Sequence, residues 1–190
     1  MAPMSDAPSP PGFSHPARLR DGTAVLIRAI RPDDRERIIA AFHKLDPETI
    51  YTRFFSAKKE LSEADLGRID AADFKRAVVL VATLPSGTDE IIIGGGAYTV
   101  LDRPGEPRTA EVSFTIEEDF QGQGLSGLFM RLLTQIGRDR GIQRFEAEVL
   151  AGNVAMLKVF QRSDLPMTRQ VEDGVVHVAM DLDPAAPSAR

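Results

Sequence analysis

The change of period between Ala110 and Arg140 constrains this chain more than any other feature. From Ala110 to Ile116 apolar residues alternate, with Ala110, Val112, Phe114 and Ile116 on one face and Glu111, Ser113 and Thr115 on the other. That is strand spacing. From Leu125 the apolar positions are Leu125, Leu128, Phe129, Leu132, Leu133 and Ile136, offsets of three and four, and Arg131, Gln135, Arg138 and Asp139 fall opposite them. That is an amphipathic helix. Between the two lies Gln121-Gly122-Gln123-Gly124-Leu125-Ser126-Gly127, with three glycines in six residues where a helix begins. Without Cβ atoms the loop can turn tightly and bring backbone N–H groups to an anion at the positive end of the helix. The spacing excludes two common phosphate loops. No acidic residue closing a second parallel strand follows about 20 residues on, as a dinucleotide fingerprint requires, and no Gly-Lys-Ser/Thr closes the loop as in nucleoside triphosphatases.

A chain of 190 residues, 43% hydrophobic and 27% charged, fits one globular domain. It has no cysteine, which excludes disulfides and an acyl-cysteine intermediate. His15, His43 and His177 lie in separate elements without ligand spacing, so no metal is expected. The net charge of −5 argues against a nucleic-acid surface. Arg18, Arg20, Arg28, Arg31, Arg35 and Arg37 are interleaved with Asp21, Asp33, Asp34 and Glu36, and read as a solvated mixed face. No apolar run reaches membrane-spanning length and the first residues carry no signal-type segment, so a cytoplasmic protein with no membrane partner is expected.

Residues 1–16 hold five prolines and little to bury, which predicts a disordered leader; residues 184–190 predict a disordered tail, leaving a domain over 17–183. Asp21-Gly22 marks a turn and Ala24 to Ile30 a strand, and Pro32-Asp33-Asp34 opens a helix with Ile38, Ile39 and Phe42 inward. Further helices are expected from Pro47 to Phe55 and from Ser62 to Asp70, the second opened by a Ser62/Asp65 capping box. Ala77 to Thr83 and Ile91 to Leu101 read as strands joined through Pro85-Ser86-Gly87, and Gly94-Gly95-Gly96 marks a bulge or close packing. A strand from Gln143 to Leu150, a helix from Asn153 to Gln161, and a hairpin of Met167–Glu172 and Val175–Leu182 turned at Asp173-Gly174 complete the order. The sum is an α/β fold: a mixed, mostly antiparallel central sheet flanked by helices, with one parallel crossover through the central helix.

The glycine loop resembles the pyrophosphate-cradling motif of the GNAT acetyltransferase superfamily, Arg/Gln-x-x-Gly-x-Gly/Ala, with Gln121, Gly124 and Ser126 at the fixed positions. Ser126 departs from the usual Gly/Ala. The resemblance implies acetyl-CoA as cosubstrate, with its pyrophosphate held by Gln121, Gly122, Gln123, Gly124, Leu125, Ser126 and Gly127. It implies pantetheine alignment by the backbone of Phe114, Thr115 and Ile116, and a pantetheine contact from Asn153. Asn153 reads equally well as a plain helix N-cap. Many relatives carry a thiolate-protonating tyrosine seven residues after that asparagine, where this chain has Phe160.

Leu19-Arg20-Asp21-Gly22-Thr23, Ile27 to Asp34, Tyr51 to Ser56, Ala110-Glu111-Val112, and Glu148-Val149-Leu150 with Asn153 and Met156-Leu157 resemble, in order, the catalytic domain of bacterial Pat-type protein lysine acetyltransferases. That likeness implies an acceptor protein, an AMP-forming acyl-CoA synthetase, and a substrate side flanked by Arg18 to Arg37 and Tyr51 to Ser56. A lysine amine, with a reference pKa of about 10.4, is protonated at neutral pH, so such a site has to remove a proton. The resemblance gives that task to Glu111, which by itself reads as an ordinary strand-surface glutamate; Glu148, the runner-up, and Glu146 alternate outward on the neighbouring strand and compete for it. Two other readings stand beside it: an N-acetyltransferase for small-molecule amines, and a non-catalytic acyl-CoA-binding sensor. The sequence names neither the acyl chain nor the oligomeric state.

Overall fold

The structure, a computed structural model, describes residues 12–70 and 72–182. Strands β1 (Ser14–Arg18), β2 (Ala24–Ala29), β3 (Ala77–Ser86), β4 (Asp89–Val100) and β5 (Thr109–Ile116) form an antiparallel meander. Helices α1 (Arg35–Phe42), α2 (Pro47–Phe54) and α3 (Glu63–Asp70) lie between β2 and β3. Helix α4 (Leu125–Asp139) then crosses to β6 (Arg144–Leu150), which pairs with β5 in parallel. After α5 (Val154–Gln161), β7 (Met167–Glu172) and β8 (Val175–Asp181) form a hairpin, and the sheet order is β1-β2-β3-β4-β5-β6-β8-β7. This is the mixed, mostly antiparallel sheet that the sequence predicts.

Side-chain size fixes which helix covers which face. A Cβ on Gly96 would sit 2.9 Å from the Phe129 ring, so α4 can press against β4 only because that position is bare. Gly96 lies opposite Phe114, whose ring meets Phe160 of α5 at 6.0 Å. Both helices therefore cover one face, burying Val112, Phe114, Ile116, Phe145, Ala147 and Val149. The glycine run also carries a bulge, since Ala82 pairs with Gly94 and Thr83 with Ile92, leaving Ile93 extra. The Asp173-Gly174 turn has φ of 48° and 80°, both positive as a type I′ turn requires. The Ser62/Asp65 capping box is present: the Ser62 N–H donates to Asp65 at 2.9 Å and the Asp65 N–H to Ser62 at 3.2 Å.

Two expectations change. Residues 14–16, assigned to the disordered leader, belong to β1, an edge strand whose His15 and Ala17 are half-buried and where Pro16 lies at the sheet margin. The remainder of that leader over 1–11 and the tail over 184–190 lie outside the described residues. Most of the Arg-rich stretch is exposed or half-buried as expected, but Arg28 and Asp34 within it are not. Arg28 and Asp34 are 1% and 0% exposed and joined by two 2.7 Å hydrogen bonds, with Glu90 of β4 also on Arg28. Arg31 reaches Glu90, Arg35 reaches Glu63, and Arg37 reaches Asp89. These pairs latch the start of α1 to the face of the sheet opposite α4.

The latch gives the fold a defined acid limit. Burial alone would raise the Asp34 carboxyl, but the Arg28 hydrogen bond, the Arg31 N–H and the Arg37 charge outweigh it and hold it below the ordinary 3.8. At Asp65 burial is likewise outweighed, by Lys58 and Ser62, which bring it to about 2. A carboxyl lowered in the folded state adds stability that is complete above its unfolded pKa and is lost as pH falls through its folded one. Urea stability should therefore fall steeply between ~pH 4 and ~pH 2, and Asp65→Asn should flatten part of that slope. A stability constant across that window would contradict the assignment.

Candidate functional site

The parallel pairing of β5 with β6 covers only Thr109/Arg144, Ala110/Phe145 and Glu111/Glu146. Beyond Glu111 the strands part, β5 staying on β4 as far as Ile116 and β6 on β8 as far as Leu150. A cleft of about 1940 Å3 opens in the gap, lined by Glu111 to Ile116 on one wall and Ala147 to Leu150 on the other. The backbone of Phe114, Thr115 and Ile116 thus borders open space on its β6 side, where a strand would otherwise pair. An extended chain laid there would find a ready sheet edge.

The glycine loop lies at the far end of β5. Gly122 and Gly124 have φ of 70° and 96°, a region that side chains rarely adopt, which accounts for glycine at both. Gly124 caps α4, whose first internal bond runs from the Leu128 N–H to the Gly124 carbonyl. The N–H groups of Leu125, Ser126 and Gly127 precede that bond and are the orphan donors of a helix start. Gln121, Gly122, Gly124, Leu125, Ser126 and Gly127 all line the cleft. Gln121 acts on the loop itself: its side-chain N–H donates to the Ile116 carbonyl at 3.1 Å and to Thr49 at 3.2 Å. Gln123 is not among the lining residues. Its backbone carbonyl accepts from the Arg20 N–H and its side-chain oxygen from the Asp21 N–H, both at 3.2 Å, so its part is to moor the loop.

Arg20, which the sequence reading missed as a site residue, donates to the Gly122 carbonyl at 2.9 Å and lines the cleft. With that carbonyl occupied, the loop is held in an orientation suited to present N–H groups to an anion. The signals for Arg20 in the sequence are the Leu19-Arg20-Asp21-Gly22-Thr23 turn and its place in the Arg18 to Arg37 stretch. Gly124→Glu should disrupt this arrangement twice, through its φ of 96° and through a carboxylate beside Arg20, whose Nε lies 3.9 Å from the added Cβ. Acetyl-CoA affinity by calorimetry should fall more than ~10-fold, about 1.4 kcal/mol. Unchanged affinity in a folded variant would remove the loop from the site.

Asn153 is a true N-cap, accepting from the Met156 N–H at 3.1 Å, and it also lines the cleft. Phe160 is buried against Phe114 and offers only packing. Among the carboxylates, Glu111 lies opposite Glu146 in the last residue pair before the strands part. Glu146 is bound by Arg103 at 2.9 Å, and Glu148 sits 3.4 Å from His177 Nδ1 on β8. Glu111 is exposed to the cleft and, among the described residues, has no ion-pair partner. A carboxylate at the mouth of an unpaired strand edge can accept a proton from a group entering the gap. Tyr51 and Phe55, 49% and 38% exposed, also line the cleft, whereas Arg28 to Arg37 are taken up by the α1 latch. Among the described residues no group of three metal-ligating side chains occurs, and no helix is long and apolar enough to cross a membrane.

This geometry has close counterparts. A family model for the acetyltransferase (GNAT) domain matches residues 24–165. An acetyltransferase named Pat from Mycolicibacterium smegmatis is 32% identical over 170 residues, covering 89% of this chain and 49% of that protein. The chain thus spans about half the length of that relative. An acetyltransferase of Pseudomonas aeruginosa is 33% identical over 138 residues, 73% of each chain. Among solved structures, the GNAT domain of S. lividans PAT superposes with a TM-score of 0.79 at 34% identity, covering 88% of this chain and 96% of that one. With the family model matched over residues 24–165 and relatives a third identical over most of the chain, the chain belongs to the GNAT acetyltransferase family.

Proposed function

We propose that this protein moves the acetyl group of acetyl-CoA to a lysine side-chain amine on the surface of another protein, by direct attack with Glu111 as general base. One observation carries the proposal: β5 and β6 part immediately beyond Glu111, so a free strand edge leads from the glycine loop to that carboxylate. Acetyl-CoA supplies an already activated thioester. The chain's own part is placement. The α4 N-terminus and the loop moored by Arg20 hold the pyrophosphate, the backbone from Phe114 to Ile116 aligns the pantetheine arm, and Glu111 takes the ammonium proton. As the new N–C bond forms the C–S bond breaks and CoA leaves as its thiolate, which takes up the nitrogen's second proton through solvent, since Phe160 has none to give. Holding both partners in line does most of the work for such a reaction.

The protein acceptor is supported by the site's lining and by the Pat relatives. The cleft is lined by exposed Tyr51 and Phe55, the residue types that protein interfaces favour. An AMP-forming acyl-CoA synthetase is the acceptor that the sequence resemblance implies. The test is to incubate protein and acetyl-CoA with a panel of folded synthetases, with peptides carrying the same lysines, and with polyamines, reading acetyl-lysine by mass spectrometry. One lysine modified on a folded synthetase, well ahead of its peptide, is the expected result. Equal rates on peptide and polyamine would favour the small-amine enzyme, and acetyl-CoA binding with no turnover on any acceptor would favour the sensor.

A further inference from the structure

The cleft does not end at the glycine loop; it runs on along the groove between α4 and α5, past Arg131, Gln135, Lys158 and Arg162. The two helices follow neighbouring parallel strands, so both begin at the same edge of the sheet and run the same way, in contact with each other. Position along the groove can then be read from the sequence. Arg131 is six residues beyond the α4 start and Lys158 four beyond the α5 start, or about 9 and 6 Å from the helix beginnings at 1.5 Å per residue. Arg162, the C-cap of α5, follows one turn after Lys158. Three cations therefore stand roughly level with one another, one helical turn or two past the loop.

What marks these three is that nothing in the fold uses them. Of the other cations lining the cleft, Arg20 holds Gly122, Lys58 holds Asp65, and Arg138 donates to the Leu182 carbonyl. Arg53 lies over the Phe54 ring. Arg131, Lys158 and Arg162 are exposed and, among the described residues, make no side-chain hydrogen bond or ion pair. The carboxylates of the groove, Asp139 and Asp164, lie at its far end, Asp139 as the last residue of α4 and Asp164 past the end of α5. Charge in the near part of the groove is uniformly positive.

We propose that Arg131, Lys158 and Arg162 form a phosphomonoester subsite that takes the ribose 3′-phosphate of the cosubstrate, so that the enzyme selects CoA thioesters over their 3′-dephospho counterparts. The assignment rests on the acetyl-CoA reading above. A pyrophosphate seated at the α4 N-terminus leaves the third phosphate of CoA one ribose away, a dianion that needs cations. The three side chains supply five-donor guanidinium forks and an ammonium suited to it.

The test is calorimetric binding of acetyl-CoA and acetyl-3′-dephospho-CoA to the parent protein and to Arg131→Gln/Lys158→Gln/Arg162→Gln. The parent should prefer acetyl-CoA by at least ~10-fold, a preference that shrinks as salt is raised. The variant should lose the preference while binding acetyl-3′-dephospho-CoA as the parent does, with an unchanged melting temperature because all three side chains are exposed. Equal affinities in the parent would overturn the proposal, as would a preference that survives in the variant or an equal loss of both ligands. If the parent binds neither ligand, the acetyl-CoA reading fails together with the subsite.

Discussion

Glu111→Gln is expected to bind acetyl-CoA as the parent does and to turn over at least ~100-fold more slowly, the usual scale for a positioned general base. The amide keeps the size of the side chain and its place at the last β5/β6 residue pair, so the strand edge and the loop beyond it should be untouched. What is lost is proton acceptance. Raising the pH increases the neutral fraction of the acceptor amine and should restore part of the rate, which a variant damaged in binding would not show. Glu148→Gln is the necessary companion. That carboxylate already faces His177 across the β6/β8 pair, and its loss should cost less than ~10-fold. A reversed order, with Glu148→Gln inactive and Glu111→Gln at full rate, would move the base to β6.

How much of this was legible in the sequence follows from how local each signal is. The β5 alternation, the α4 stripe, the capping box at Ser62, the Asn153 cap and the Asp173-Gly174 turn each depend on residues within a few positions of one another, and each appears as read. Strand β1 was missed because its proline content argues for disorder, while its pairing with β2 is a property of the sheet and not of its own five residues. The same limit applies to the arginines. Interleaved charge from Arg18 to Arg37 looks like a wet surface, since nothing in the local pattern shows that Glu90, from a hairpin 62 residues on, closes over Arg28. Within the site, the glycines announce a tight loop, but Arg20 and Thr49 reach it from more than 70 residues away. Gln121 and Gln123 differ by two positions and serve opposite walls of the loop, which spacing alone does not separate.

The largest effect on stability should come from Arg28→Met. Removing the guanidinium takes from Asp34, fully buried, the two hydrogen bonds that hold its charge and leaves it only the Arg31 N–H and Arg37 at 3.3 Å; breaking a buried pair costs about 3–5 kcal/mol, and these remaining contacts put the loss at the lower end. Glu90 is 20% exposed and keeps Arg31, so it can turn to water; Asp34 cannot. Urea titration should therefore show a much lower midpoint with an unchanged slope, since the surface exposed on unfolding is the same. Adding Asp34→Leu should recover more than half of the loss, because the charge that needed a partner is gone. Recovery should stop short of the parent, as Asp34 also accepts the Arg31 N–H at 2.7 Å and opens α1. The latch bears on function through α2, whose Thr49 receives Gln121 and whose leading Asp46 N–H donates to Glu118 ahead of the glycine loop. If α1 and α2 are positioned by this one buried pair, the single variant should lose acetyl-CoA affinity in parallel with its stability and the double variant should regain both. Stability that returns without affinity would mean that the loop is positioned independently of α1.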